Sequence, residues 1–115
     1  MRKLLIPLYG GEVAPRFDLS TEILVVACTP RGNVEQEKVL ILPGPSSERI
    51  CQMAMTEQVN TILCGGIEQE VYEYLTWKKI EVIDNLIGIA ADVLQRYLAG
   101  HLRSGEVVTS GVSDG

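Results

Sequence analysis

The pattern of apolar and polar positions divides the chain into short buried runs separated by amphipathic stretches. Lys3 to Tyr9 and Glu22 to Thr29 are nearly continuous apolar runs, as expected of strands covered on both faces. Val34 to Leu42 begins polar and ends apolar, and the turn signal Pro30-Arg31-Gly32-Asn33 precedes it, so these three strands form a meander. Pro43-Gly44-Pro45 ends that segment. Ser46 or Ser47 then caps a helix running to about Gln58, with Glu48 in its first turn where a carboxylate suits the positive helix end. Thr61 to Cys64 is a short buried strand. A second helix over 67–78 places Ile67, Val71, Tyr74 and Leu75 on one face, and Ile80 to Ile83 forms the last strand. A third helix over 87–99 buries Ile89, Ala90, Val93, Leu94, Tyr97 and Leu98 and ends at Gly100.

The order β-β-β-α-β-α-β-α calls for parallel pairing across the strand–helix–strand passages, with right-handed crossovers. The simplest arrangement is an α/β fold: a single five-stranded mixed sheet of order 3-2-1-4-5, strand two antiparallel to the rest, with three helices. Residues 1–103 form one domain and 104–115 a flexible polar tail. Ligands of open α/β sheets bind beyond the carboxyl ends of strands where the topology switches, here between strands one and four. Gly10-Gly11 and Gly65-Gly66 then emerge side by side and flank one crevice, and the loop from Tyr9 to Ser20 is long enough to cover it.

Composition narrows the function without choosing it. With 115 residues there is room for one core, and 46 % apolar with 22 % charged residues is the balance of a soluble globular domain. No run approaches the ~20 apolar residues of a membrane span. The short run after Met1-Arg2-Lys3 is broken by Pro7 and has no cleavage site, so a cytoplasmic location is expected. The net charge of −5, with basic residues scattered, gives no nucleic-acid face. Cys28, Cys51 and Cys64 make an odd set without a C-x-x-C, which indicates neither a disulfide framework nor a structural zinc site.

The segments L-L-I-P-L-Y-G-G-E-V-A-P-R-F-D-L-S, T-I-L-C-G-G-I, E-V-I-D and Y-L-A-G-H-L resemble the dinitrogenase iron–molybdenum cofactor family, the group of NifX-like and NafY-like proteins and the C-terminal domain of NifB. The resemblance runs from about Lys3 to Leu102. Its most specific parts are the x-P-x-F loop and the C-G-G-I turn. It implies a ribonuclease H-like fold and a non-catalytic carrier of iron–molybdenum cofactor or an iron–sulfur cluster precursor. Partners would be cofactor-assembly or metalloenzyme proteins; nitrogen fixation follows from the family alone. The candidate cofactor-binding residues are Gly10, Gly11, Arg16, Phe17, Cys64, Gly65 and Gly66; Cys64, at its strand end, is the candidate metal ligand or else a thiol that simply packs inward.

One position departs from the family. Many relatives read S-P-H-F where this chain reads A-P-R-F, and a guanidinium, always protonated, cannot ligate metal as imidazole does. Arg16 either meets an anionic cluster by charge or bonds Asp18 or a loop carbonyl and only shapes the loop. A thiolate at Cys64 would suit an iron–sulfur species, and a helix N-terminus nearby would lower its pKa. Cys51, Met53 and Met55 read as core, and His101 as a solvated helix-end residue. Strands one and four carry no carboxylate, which excludes a two-metal nuclease centre there. The alternative to a cluster carrier is a non-metal small-anion or protein-interaction domain on the same fold.

Overall fold

The computed structural model describes residues 1–109. Its sheet is six-stranded, in the order β4-β3-β1-β5-β6, with β2 paired to the outer end of β1. The strands are β1 Arg2–Tyr9, β2 Glu12–Val13, β3 Glu22–Cys28, β4 Val34–Ile41, β5 Thr61–Leu63 and β6 Glu81–Ile83. The helices are α1 Ser47–Thr56, α2 Gln69–Trp77 and α3 Ala90–Leu98. β1 runs parallel to β5 and antiparallel to β3, and β5 runs parallel to β6. The mixed sheet and its ribonuclease H-like order are those expected. The added strand is the correction: Glu12–Val13 folds back on Leu8–Tyr9, a pairing too short to show as a period.

Both faces of the sheet are covered over its inner strands, which is why the runs of β1 and β3 are continuous rather than alternating, while the edge strand β4 is largely exposed. Leu5, Ile23, Val25, Ile62 and Val82 face Ile50 and Ala54 of α1 and Leu75 of α2. Leu4, Ile6, Val26, Leu63 and Ile83 face Ala90, Val93 and Leu94 of α3 on the other side. α1 starts at Ser46, whose hydroxyl accepts a hydrogen bond from the Arg49 amide at 3.1 Å.

Two helices start later than the periodicity suggests. α2 begins at Gln69, not Ile67, because Gly66 is held by the loop before it. α3 begins at Ala90, not Ile87, because Ile87 and Ile89 are drawn into extended bridges with Val107 and Glu12. The expected tail boundary also moves. Val108 is buried against the α3 face, its amide donates to the Ile87 carbonyl at 2.7 Å, and Glu106 pairs with Arg96 at 2.9 Å. The chain is therefore anchored through Val108; residues 110–115 lie outside the described residues.

Candidate functional site

The loop after β1 is built in three steps. Tyr9 and Glu12 oppose each other across a two-residue turn, Gly10-Gly11. Gly10 has φ +63° and Gly11 does not have a positive φ, the pattern of a type II′ turn, which places glycine at its first central position. The hairpin is then fastened to the start of α3: the Ala90 amide donates to the Gly11 carbonyl and the Val13 amide to the Gly88 carbonyl, both at 2.9 Å.

The second step lays the loop on the β5–α2 turn. The Gly66 amide donates to the Pro15 carbonyl at 2.8 Å, and the Phe17 amide returns the bond to the Gly66 carbonyl at 2.8 Å. A methyl group on Gly65 would run into the Ala14 carbonyl and lie 2.7 Å from that of Pro15. Glycine is required here because backbone passes over it. The two doublets thus do not flank an open crevice. The gap expected between them is filled by residues 14–17 of the chain itself.

The third step fixes the loop's far end. Phe17 is buried in the core with Leu5, Ile50 and Cys64, and the Ser20 hydroxyl donates to the carbonyls of Leu8 at 2.8 Å and Glu22 at 3.0 Å. Arg16, one residue before Phe17, stays exposed and forks onto Asp18, with Nε–Oδ1 at 3.1 Å and Nη2–Oδ2 at 2.8 Å. What remains open is a shallow pocket of about 230 Å³ lined by Tyr9, Ala14, Pro15, Arg16, Leu19 and Ser20. Arg16 is its one charged lining residue, and Tyr9 and Leu19 stand exposed at its rim. Sequence reasoning passed over Tyr9, Leu19 and Ser20. The available signal was Tyr9 and Leu19 at the two ends of a glycine-containing connection, next to its charged residues.

Cys64 does not reach this pocket's surface. It lies at zero exposure in the core, and burial, then the neighbouring charge of Asp84, push its thiol far above the ordinary range. The expected lowering by a helix N-terminus is reversed, because the buried thiolate would lose its hydration. Among the described residues no three or more His, Cys, Asp and Glu side chains are grouped to hold a metal ion. Cys51 is buried in α1, and Met53 and Met55 pack partly buried against the same core. His101 is exposed just past α3.

Solved structures superpose on this fold, among them the following three. The crystal structure of PH0822 superposes with a TM-score of 0.80 at 20 % identity, covering 89 % of this chain and 93 % of that one. The crystal structure of a Methanocaldococcus jannaschii protein named as a dinitrogenase candidate (mj0327) gives a TM-score of 0.71 at 25 % identity, over 87 % and 90 % of the two chains. An NMR structure of a NifB candidate from Thermotoga (TM1290) gives 0.70 at 13 % identity over 100 % of both. No family model and no curated protein matches the chain. The dinitrogenase candidate and the NifB candidate share this chain's fold, so the family resemblance of the sequence is borne out at the level of the fold.

Proposed function

We propose that this chain is a non-catalytic binding and carrier domain whose cargo is an anionic iron–sulfur or iron–molybdenum cluster, handed on to cofactor-assembly or metalloenzyme proteins in the cytoplasm. The observation that carries the reading is the placement of Arg16. It is exposed at the switch point between β1 and β5, on a loop whose backbone is pinned to the C-G-G-I turn. Gly65, Gly66 and Phe17 hold the loop, Gly10 and Gly11 shape its entry, and Arg16 meets the cargo by charge. To do so the guanidinium exchanges Asp18 for the cluster, so affinity is modest and sensitive to salt, as suits a carrier that must release its load. Cys64 joins only if its thiol leaves the core and deprotonates.

A second reading, a small-anion or protein-interaction domain, is favoured by two observations: Arg16 already has a carboxylate partner and Cys64 is shut in. Anaerobic titration with isolated iron–sulfur cluster or iron–molybdenum cofactor, followed by absorption and electron paramagnetic resonance, separates them. Wild type binds, Arg16→Ala binds about tenfold more weakly for the loss of one charge-assisted contact, and Arg16→His binds more tightly with less dependence on salt. Equal binding by wild type and Arg16→Ala removes the loop as the site. If neither takes up a cluster, the second reading stands.

A further inference from the structure

The β-α-β crossovers run α1 and α2 side by side over one sheet face, and between them lies a groove of about 750 Å³ that the loop site does not use. Its chemistry is graded along its length. At the N-terminal ends of the two helices it is lined by Glu48, Glu68 and Glu70. Beside and beyond them it is lined by Cys51, Met55, Val71 and Tyr74, with Gln52 and Thr56 on the α1 side. Glu48 and Glu70 suit the helix starts they occupy, so their acidity alone would mean little. Three carboxylates on one rim, none of them ion-paired among the described residues, leave a one-sign field beside a largely apolar stretch of the groove.

The groove's apolar end continues into exposed aromatic surface. Tyr74 lies 6.4 Å from Trp77, the chain's single tryptophan, which is 72 % exposed. Tryptophan and tyrosine are among the residue types enriched where protein contacts are anchored. These rings already attract a cation: Lys78 Nζ sits 4.9 Å from the Trp77 ring and 5.7 Å from the Tyr74 ring.

We propose that the α1–α2 groove is a docking site for a partner protein's segment that is cationic at one end and apolar at the other. Its Lys or Arg side chains lie against Glu48, Glu68 and Glu70, and its apolar side chains pack on Met55, Val71, Tyr74 and Trp77. Charge complementarity selects this occupant over a second copy of the chain, whose net charge of −5 would bring like charge to the rim. The site is separate from the loop pocket and does not depend on what that pocket binds.

The probe is a synthetic peptide with Lys and Arg clustered at one end and Leu and Phe at the other, titrated into the full chain. Binding is read by Trp77 fluorescence and by backbone amide NMR shifts. Saturable binding with a blue shift of Trp77 and shifts confined to α1 and α2 is expected. A combined Glu48→Gln, Glu68→Gln, Glu70→Gln variant, altered only at exposed positions, should bind at least about tenfold more weakly. A control peptide with Glu in place of every Lys and Arg should not bind. Because any acidic protein attracts cations weakly, the map and the variant decide. Shifts scattered over the surface, or equal binding by the triple variant, overturn the proposal. So would absence of binding, or concentration-dependent dimerisation that Trp77→Ala abolishes.

Discussion

Arg16, Gly65 and Cys64 each occupy a position where a ligand-binding role and a structural role predict different chemistry. At Gly65 the contact is with the chain's own carbonyls, so Gly65→Ala must displace the loop and should cost about 1–3 kcal/mol, the range for overpacking. Gly11, with open space around its α-carbon and no positive φ, should accept alanine within about 0.5 kcal/mol, as surface substitutions generally do. Urea unfolding of the two variants checks the contrast, and equal losses would mean the loop does not rest on Gly65 as described. The thiols make a second test. Burial, then Glu48, push the Cys51 thiol up to about 11, so at pH 8 only about one molecule in a thousand carries the thiolate there. Cys64 is held protonated more strongly still. Iodoacetamide should therefore modify both far more slowly in the native protein than in urea, as peptide mass spectrometry would show. Native-state alkylation of Cys64 at the unfolded rate would reveal that its thiol surfaces, and would return it to consideration as a cluster ligand.

Between elements, the informative joint is the one fastening the chain after α3. Val108 is buried at 5 % exposure on the α3 face although its surroundings in sequence, from Ser104 on, are polar and glycine-rich. Val108→Ala removes two buried methyl groups and should destabilise by about 1.5 kcal/mol, measured as a lowered urea midpoint with unchanged slope. No effect would restore the free tail that composition suggested. Composition missed this strap because Val107 and Val108 are adjacent and only Val108 docks, which leaves no period to detect. The helix ends show the same limit. All three helices close with paired amide-to-carbonyl bonds, such as Val59 to Ala54 and Gln58 to Met55. Only α3 uses glycine for the left-handed residue, at Gly100, and there the sequence marks the end. α1 and α2 put Gln58 and Lys79 in that conformation, at φ 60° and 69°, so their termini were located only approximately. By contrast the strand order was legible, because the doubly covered apolar runs and the passages between them leave few alternatives. The loop's anchoring on Gly65-Gly66 was half legible. Topology brought the two stretches together, but which of ligand and backbone fills the gap depends on side-chain and carbonyl positions that no local pattern encodes.

Across the whole molecule, one carboxylate joins three elements. Glu57, at the end of α1, takes Lys38 of β4 at 3.0 Å and Lys3 of β1 at 3.4 Å on the same oxygen. It thereby ties the helix layer to the central strand and to the outer edge of the sheet. The Lys38 hydrogen bond does most to hold this carboxyl below its usual value of 4.5; burial opposes the shift, and Lys3 adds to it. A group whose pKa is lower folded than unfolded stabilises the fold fully above its unfolded value, and that contribution is lost as pH falls through the folded one. Native stability should therefore be flat from neutral pH down to about pH 5 as far as Glu57 is concerned, then decline through the acid range below 4.5. Glu57→Gln should lower the urea midpoint at pH 7 and make the curve shallower below pH 4.5, since the variant has no proton to gain there. Added salt should weaken the wild-type contribution only partly, because Glu57 is 17 % exposed while Lys38 is 44 % exposed. If wild type and Glu57→Gln lose stability in parallel between pH 5 and pH 3, the two lysines do not hold the carboxylate in solution, and α1 is kept on the sheet by its apolar face alone.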